Sequence, residues 1–183
     1  MIKLPDDATR PVAPVLENVT HAQKLPGRQL RMIHNHQREN MKHLRGLVTV
    51  ARSGGLPDGG AEAAMAPNEM LQNLREFGSL CGQHCQIVHM HHSIEDAHIF
   101  PALADKAVGF RAVVQRLVDE HKSVHALLLQ LVDELNALNA EQSETRLEAA
   151  MRTYEQLETF LLSHLGYEED SISDALGVFK IGI

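Results

Sequence analysis

Apolar residues recur at three- and four-residue steps over four long blocks of this chain, and that period admits few architectures. Leu30, Ile33, Met41, Leu44, Leu47 and Val48 carry the first block, which begins at Arg28. A second runs from Pro67, a residue suited to a first helical turn, to about Ala104, with Pro101 expected to end or kink it. The third passes from near Gly109 through Val113, Leu117, Val124, Leu127, Leu128, Leu131 and Leu135 to about Leu138. The fourth spans about Glu144 to Ala175, through Leu147, Met151, Tyr154, Leu157, Phe160, Leu161 and Leu165, with Gly177 as its stop. Gly- and Pro-rich residues 53–60 and polar residues 139–143 interrupt the pattern. No stretch alternates apolar and polar residues as a half-buried strand does. The sequence thus predicts an all-α chain, an antiparallel up-down-up-down four-helix bundle over residues 28–176. Pro5, Pro11, Pro14 and Pro26 mark residues 1–27 as an irregular N-terminal arm, and residues 177–183 form a C-terminal tail.

Composition agrees with helix packing and argues against several classes of partner. The chain has 183 residues, enough for one domain, with no Trp and 4% aromatic residues, so Leu, Val, Ile, Ala and Met must fill its core. A formal charge of −7 argues against nucleic acid or an anionic membrane as a partner. Residues 1–7 lack the basic and apolar regions of a signal peptide, and no apolar run approaches the roughly 18–20 residues of a membrane span. A cytoplasmic location is expected. Cys81 and Cys85, one helical turn apart, are too few for a disulfide framework and read as small buried apolar residues.

The twelve histidines are unevenly spread. Residues 90–101 hold His91, His92 and His98 together with Glu95 and Asp96. Histidine and carboxylate form the ligand set of Fe, Mn and Zn. A helix turns about 100° per residue, so positions four apart share a face. By that rule His91 pairs with Glu95 on the second helix, His121 with His125 on the third, and His164 with Glu168 on the fourth. The first helix offers His34 or His36, which are two apart and cannot both face one centre. Such residues meet inside a bundle, and they supply enough donors for two ions and a bridging carboxylate. A lone helical histidine is more often a surface or hydrogen-bonded core residue. A match on each of four helices is hard to reconcile with that. The second Glu-x-x-His step of ferritin-like bundles is absent, as is the zinc-protease motif His-Glu-x-x-His.

The segments His91-His92-x-x-Glu95-Asp96-x-x-Ile99-Phe100-Pro101, Glu120-His121-x-x-x-His125 and His164-Leu165-x-x-Glu168-Glu169 resemble the hemerythrin-like (HHE cation-binding) domain family, in the family's order and over about residues 28–176. The resemblance implies a four-helix bundle holding two non-haem Fe ions with an oxo or hydroxo bridge. It implies His91, His121 and His164 as terminal ligands, Glu95 as the bridging carboxylate and either Glu168 or Glu169 as the second carboxylate, with Glu168 favoured and the other then standing behind it. His34 is favoured over His36 because it precedes Arg38 by one turn, as in related domains. His125 matches the paired third-helix histidine of hemerythrins. His92 matches a residue that in some such domains also reaches the second iron.

Members of the family bind or sense dioxygen, nitric oxide or iron, or act on peroxide. The resemblance therefore implies a small diatomic or peroxide ligand and leaves any protein partner unidentified. Two rival readings stand beside oxygen binding or sensing. One is a di-iron enzyme with catalase-like peroxide or nitric-oxide turnover; the other is a regulatory protein with a mononuclear Zn or Ni site. Around the centre, His84 and His98 lie two turns either side of His91, where either would line an access path or hydrogen-bond a ligand. Tyr167 is placed to hydrogen-bond a bound molecule or to pack, while His21, His43 and His89 read as solvated.

Overall fold

The computed structural model describes residues 2–54, 67–141 and 143–183. Among them run α1 (Leu25–Gly54), α2 (Pro67–Ile94), a π turn (Glu95–Ile99), α3 (Phe100–Lys106), α4 (Arg111–Ala140) and α5 (Glu144–Val178), with no strand. Helix α1 packs on α2 and α5, and α4 packs on the same two, so the long helices form a bundle around a common interior. Along α1, His34 meets Glu169, Met41 meets Tyr154 and Arg45 meets Glu158 on α5.

Local chemistry explains the element ends. Helix α1 starts three residues before the expected Arg28, with Pro26 in the first turn, where its missing N–H costs nothing. It continues to Gly54, into the first residues of the expected break. The remainder of that Gly/Pro-rich break, residues 55–66, lies outside the described residues. Ser143 caps α5, its hydroxyl accepting from the Arg146 N–H.

The second helix changes character before Pro101. The Phe100 N–H donates to the Glu95 carbonyl, closing a π turn, and a regular helix resumes at Phe100. Proline lacks a donor and its ring crowds the carbonyl four residues back, so a wider turn relieves both defects without ending the helix. The extra residue shifts the inward register. Ile99 is buried at the next inward position while His98 is exposed. The expectation that His98 shares the His91 face is therefore corrected.

Two apolar clusters fill the interior. One joins Met41, Leu44, Val88, Val124, Leu127, Leu131, Tyr154, Leu157 and Leu161. The other joins Leu30, Phe100, Leu103, Phe110, Leu117, Ile172 and Leu176. Each fully buried Leu contributes on the order of 1.5–3 kcal/mol, so these clusters supply most of the stabilisation. Cys81 lies in the first cluster and the half-buried Cys85 beside it, both as free thiols. Met41 and Met151 are buried, Met32 and Met90 exposed; Met65 and Met70 fall outside the described side chains.

Ahead of α1, a short 3-10 turn (Asp7–Thr9) is capped by Asp6, whose carboxylate accepts from the Ala8 N–H. The chain then crosses the end of α5 at Gly177, where an added Cβ would collide with the Gln23 carbonyl. Among the described residues, no helix is long and apolar enough to cross a membrane.

Candidate metal centre

At one level of the bundle every long helix exchanges its buried apolar residues for polar ones. His34 and Gln37 lie between Leu30 and Met41; His91, His92 and Glu95 lie between Val88 and Ile99. Glu120 and His121 lie between Leu117 and Val124, and His164 and Glu168 between Leu161 and Ile172. All are buried. Burial of this much imidazole and carboxylate is costly unless each polar atom finds a partner.

The imidazole nitrogens divide into an outer and an inner set. Outward, His34 Nδ1 lies 3.0 Å from a Glu169 oxygen, His121 Nδ1 2.9 Å from Asp96, and His164 Nδ1 3.0 Å from Glu120. His92 Nδ1 is 3.3 Å from His125 Nε2. A histidine that donates its Nδ1–H outward presents a lone pair at Nε2, and this pairing holds the ring for a metal. Inward, His34 Nε2 is 3.0 Å from His91 Nε2, which lies 3.1 Å from Glu95 Oε1. Glu95 Oε2 is 3.6 Å from His121 Nε2. Glu168 Oε2 is 3.5 Å from His164 Nε2 and 3.8 Å from His34 Nε2. Each carboxylate thus reaches toward histidines on two different helices.

Among the described residues, three donor sets fit within 4.8 Å: His34, His91 and Glu95; Glu95, His121 and Glu168; and His92, His121 and His164. The inner Nε2 atoms of His92, His121 and His164 and both oxygens of Glu95 and Glu168 are buried without a hydrogen bond. An unpaired buried polar atom costs about 1–3 kcal/mol, and converging lone pairs are what a cation accepts. On donor chemistry and on these orphaned atoms, the residues fit a metal.

Electrostatics point the same way. Burial pushes His91 down to about 4 and lowers His92 and His121 as well, keeping the rings neutral at neutral pH, the form in which imidazole ligates. Burial and the facing Glu168 push Glu95 well above the usual carboxylate range. Burial opposes ionisation of Glu168 too, but His34, His164, His121 and His91 around it hold it below its ordinary value. The outer carboxylates Glu120 and Glu169 are fixed as anions. Against burial, hydrogen bonds from His164, Arg10 and Arg116 hold Glu120 at about 2, and those from His34 and Arg38 do the same for Glu169.

The expected residues are mostly gathered here. His34, His91, His92, Glu95, His121, His164 and Glu168 all belong to the donor sets. His125 stands outside them, half-buried behind His92, with the exposed His89 ring 4.9 Å beyond. His36 is exposed on the α1–α2 groove. Glu169 faces away to Arg31 and Arg38, and Asp96 backs His121. Tyr167 packs, half-buried, against the second apolar cluster, and its hydroxyl donates to the Pro11 carbonyl instead of addressing the centre. Glu120 has no role in the sequence motif that contains it. Its signal was a carboxylate on the apolar stripe of Leu117 and Val124. Arg10, which forks onto Glu120, carries no signal in the sequence.

Comparison with curated proteins and with solved structures gives no match. The family model of the hemerythrin HHE cation-binding domain matches residues 25–176, from the first residue of α1 to near the end of α5, and so spans every donor described. The chain belongs to the hemerythrin HHE cation-binding domain family.

Proposed function

We propose that this chain is a non-haem di-iron protein that binds or senses dioxygen, nitric oxide or peroxide within its bundle. The observation that carries the reading is the position of Glu95, one oxygen toward His91 and the other toward His121. His34 and His91 would hold one iron, His121 and His164 the other, with Glu95 and Glu168 spanning them. His92 joins the second group through Nε2, and His125 accepts from its outer nitrogen. Overlapping donor sets favour two ions over one, because a mononuclear Zn or Ni site leaves carboxylates idle.

Bound iron supplies electrons and an open coordination position to a small oxidant. The chain's own part is to hold neutral imidazoles by outer anions and to wall the centre with apolar side chains. The same reading takes the bundle as up-down-up-down over residues 28–176, with 1–27 as an arm, and places the protein in the cytoplasm, where free thiols and ferrous iron persist.

Metal analysis and an optical spectrum of protein from iron-rich culture test the proposal. About two irons per chain with near-ultraviolet charge-transfer bands support it; one zinc per chain without them would refute it. Glu95→Ala is expected to lose iron, and retention of both ions would remove its spanning role. Rapid peroxide turnover by the iron-loaded protein would point to an enzyme in place of a carrier or sensor.

A further inference from the structure

We propose that Arg10, outside the span matched by the family model, is a positioning residue of the metal centre: through Glu120 it fixes the imidazole of His164. The inference rests on the reading of His164 as a metal ligand.

Glu120 is fully buried, and its Oε2 is the partner of His164 Nδ1 at 3.0 Å. Two guanidinium groups brace it. Arg116, one turn earlier on α4, donates to Oε1 at 2.6 Å. Arg10 arrives from the segment ahead of the bundle and grips both oxygens, Nε on Oε1 at 2.9 Å and Nη2 on Oε2 at 3.0 Å. A guanidinium fork fixes the plane of a carboxylate, which a single point charge does not. The plane of Glu120 sets the direction in which His164 donates from Nδ1, and so the direction in which its Nε2 faces the centre.

Arg10 is itself held in place by residues flanking His164. Its Nη1 donates to the Ser163 hydroxyl at 2.8 Å and lies 3.3 Å from Asp7. Its guanidinium sits 4.8 Å over the Tyr167 ring, while the Tyr167 hydroxyl donates to the Pro11 carbonyl at 2.8 Å. Arg116 ties the same segment down by donating to Thr9 Oγ1 and to the Asp6 carbonyl. Among the described residues, neither of the other outer carboxylates is braced from the segment ahead of α1. Glu169 is held by Arg31 and Arg38, both on α1, and Asp96 is partly exposed.

The test loads full-length protein with iron or cobalt. It measures metal release to a chelator and the visible cobalt spectrum, with helical circular dichroism as the folding check. Arg10→Met is expected to release metal about 10-fold faster and to alter the cobalt bands. Arg10→Lys, which keeps the charge without the fork, is expected between wild type and Arg10→Met. Tyr167→Phe loosens the same segment while leaving Arg10 on Glu120, and is expected to stay within about twofold of wild type in release, well short of the loss a supporting residue brings. If His164→Ala releases metal rapidly while both Arg10 variants behave as wild type, the positioning role is overturned and the ligand reading survives. Tyr167→Phe matching Arg10→Met also overturns it, in favour of general docking. If His164→Ala keeps its metal and its spectrum, the ligand reading falls and the positioning role with it. Should Arg10→Met fail to fold, a wild-type release rate in Arg10→Lys overturns the fork argument.

Discussion

Replacing His84 by leucine removes a buried histidine that lies outside the metal-binding set. His84 lines a groove of about 240 Å³ between α1 and α2, beside His36, Asn40 and His43. It is nevertheless 2% exposed, and neither ring nitrogen makes a hydrogen bond. Burial first, and the neighbouring His36 second, push it down from 6.5 to about 4. In the unfolded chain the ring returns to about 6.5. Between those values the unfolded state binds a proton that the folded state refuses. The stabilising contribution is therefore complete above about pH 6.5 and is lost as pH falls toward 4. At about 1.4 kcal/mol per pH unit, the loss is about 3 kcal/mol. Leucine does not titrate and leaves no polar atom unpaired, so the variant should match or exceed wild type at neutral pH. Urea unfolding of metal-free protein, followed by helical circular dichroism from about pH 7.5 to about pH 4, measures the difference without the pH dependence of metal binding. The variant's advantage should grow by about 3 kcal/mol across that range. A difference that stays constant with pH would refute the account of His84 as a buried neutral ring.

Two further substitutions test the packing around the centre. Tyr154→Phe removes the buried hydroxyl that donates to the Met41 carbonyl at 2.8 Å, and should cost about 1 kcal/mol in urea unfolding with metal content unchanged. Gly177→Ala drives a Cβ into the Gln23 carbonyl, backbone that cannot rotate away. It should cost about 1–3 kcal/mol and lower the thermal midpoint by several degrees; an unchanged midpoint would show that the crossing is looser than described.

Much of the centre was legible because helical period alone decides which side chains share a face. The pairs His91 with Glu95 and His164 with Glu168 follow from a four-residue step and are found together. Where two neighbours compete, the step is not enough. Glu168 and Glu169 differ by about 100°, and their separate duties depend on Arg31 and Arg38 across the bundle, which no local pattern places. The π turn also lay beyond a fixed period. Pro101 signalled a disturbance, but the chain absorbed it four residues earlier, which rotated His98 out and Ile99 in. Arg10 and the bond from Tyr167 to Pro11 were hidden for a different reason. An irregular Pro-flanked segment has no repeat, so its docking is set by tertiary contacts alone.

The polar level between the two apolar clusters gives the bundle a waist. Hydrophobic attraction holds the molecule above and below that level, and at the level itself it is replaced by converging, unpaired lone pairs. Without a cation this is the weakest cross-section of the fold; with one, helices from all sides are tied to the same few atoms. Metal occupancy then works as a mechanical coupling, making two half-cores that would loosen separately unfold as one.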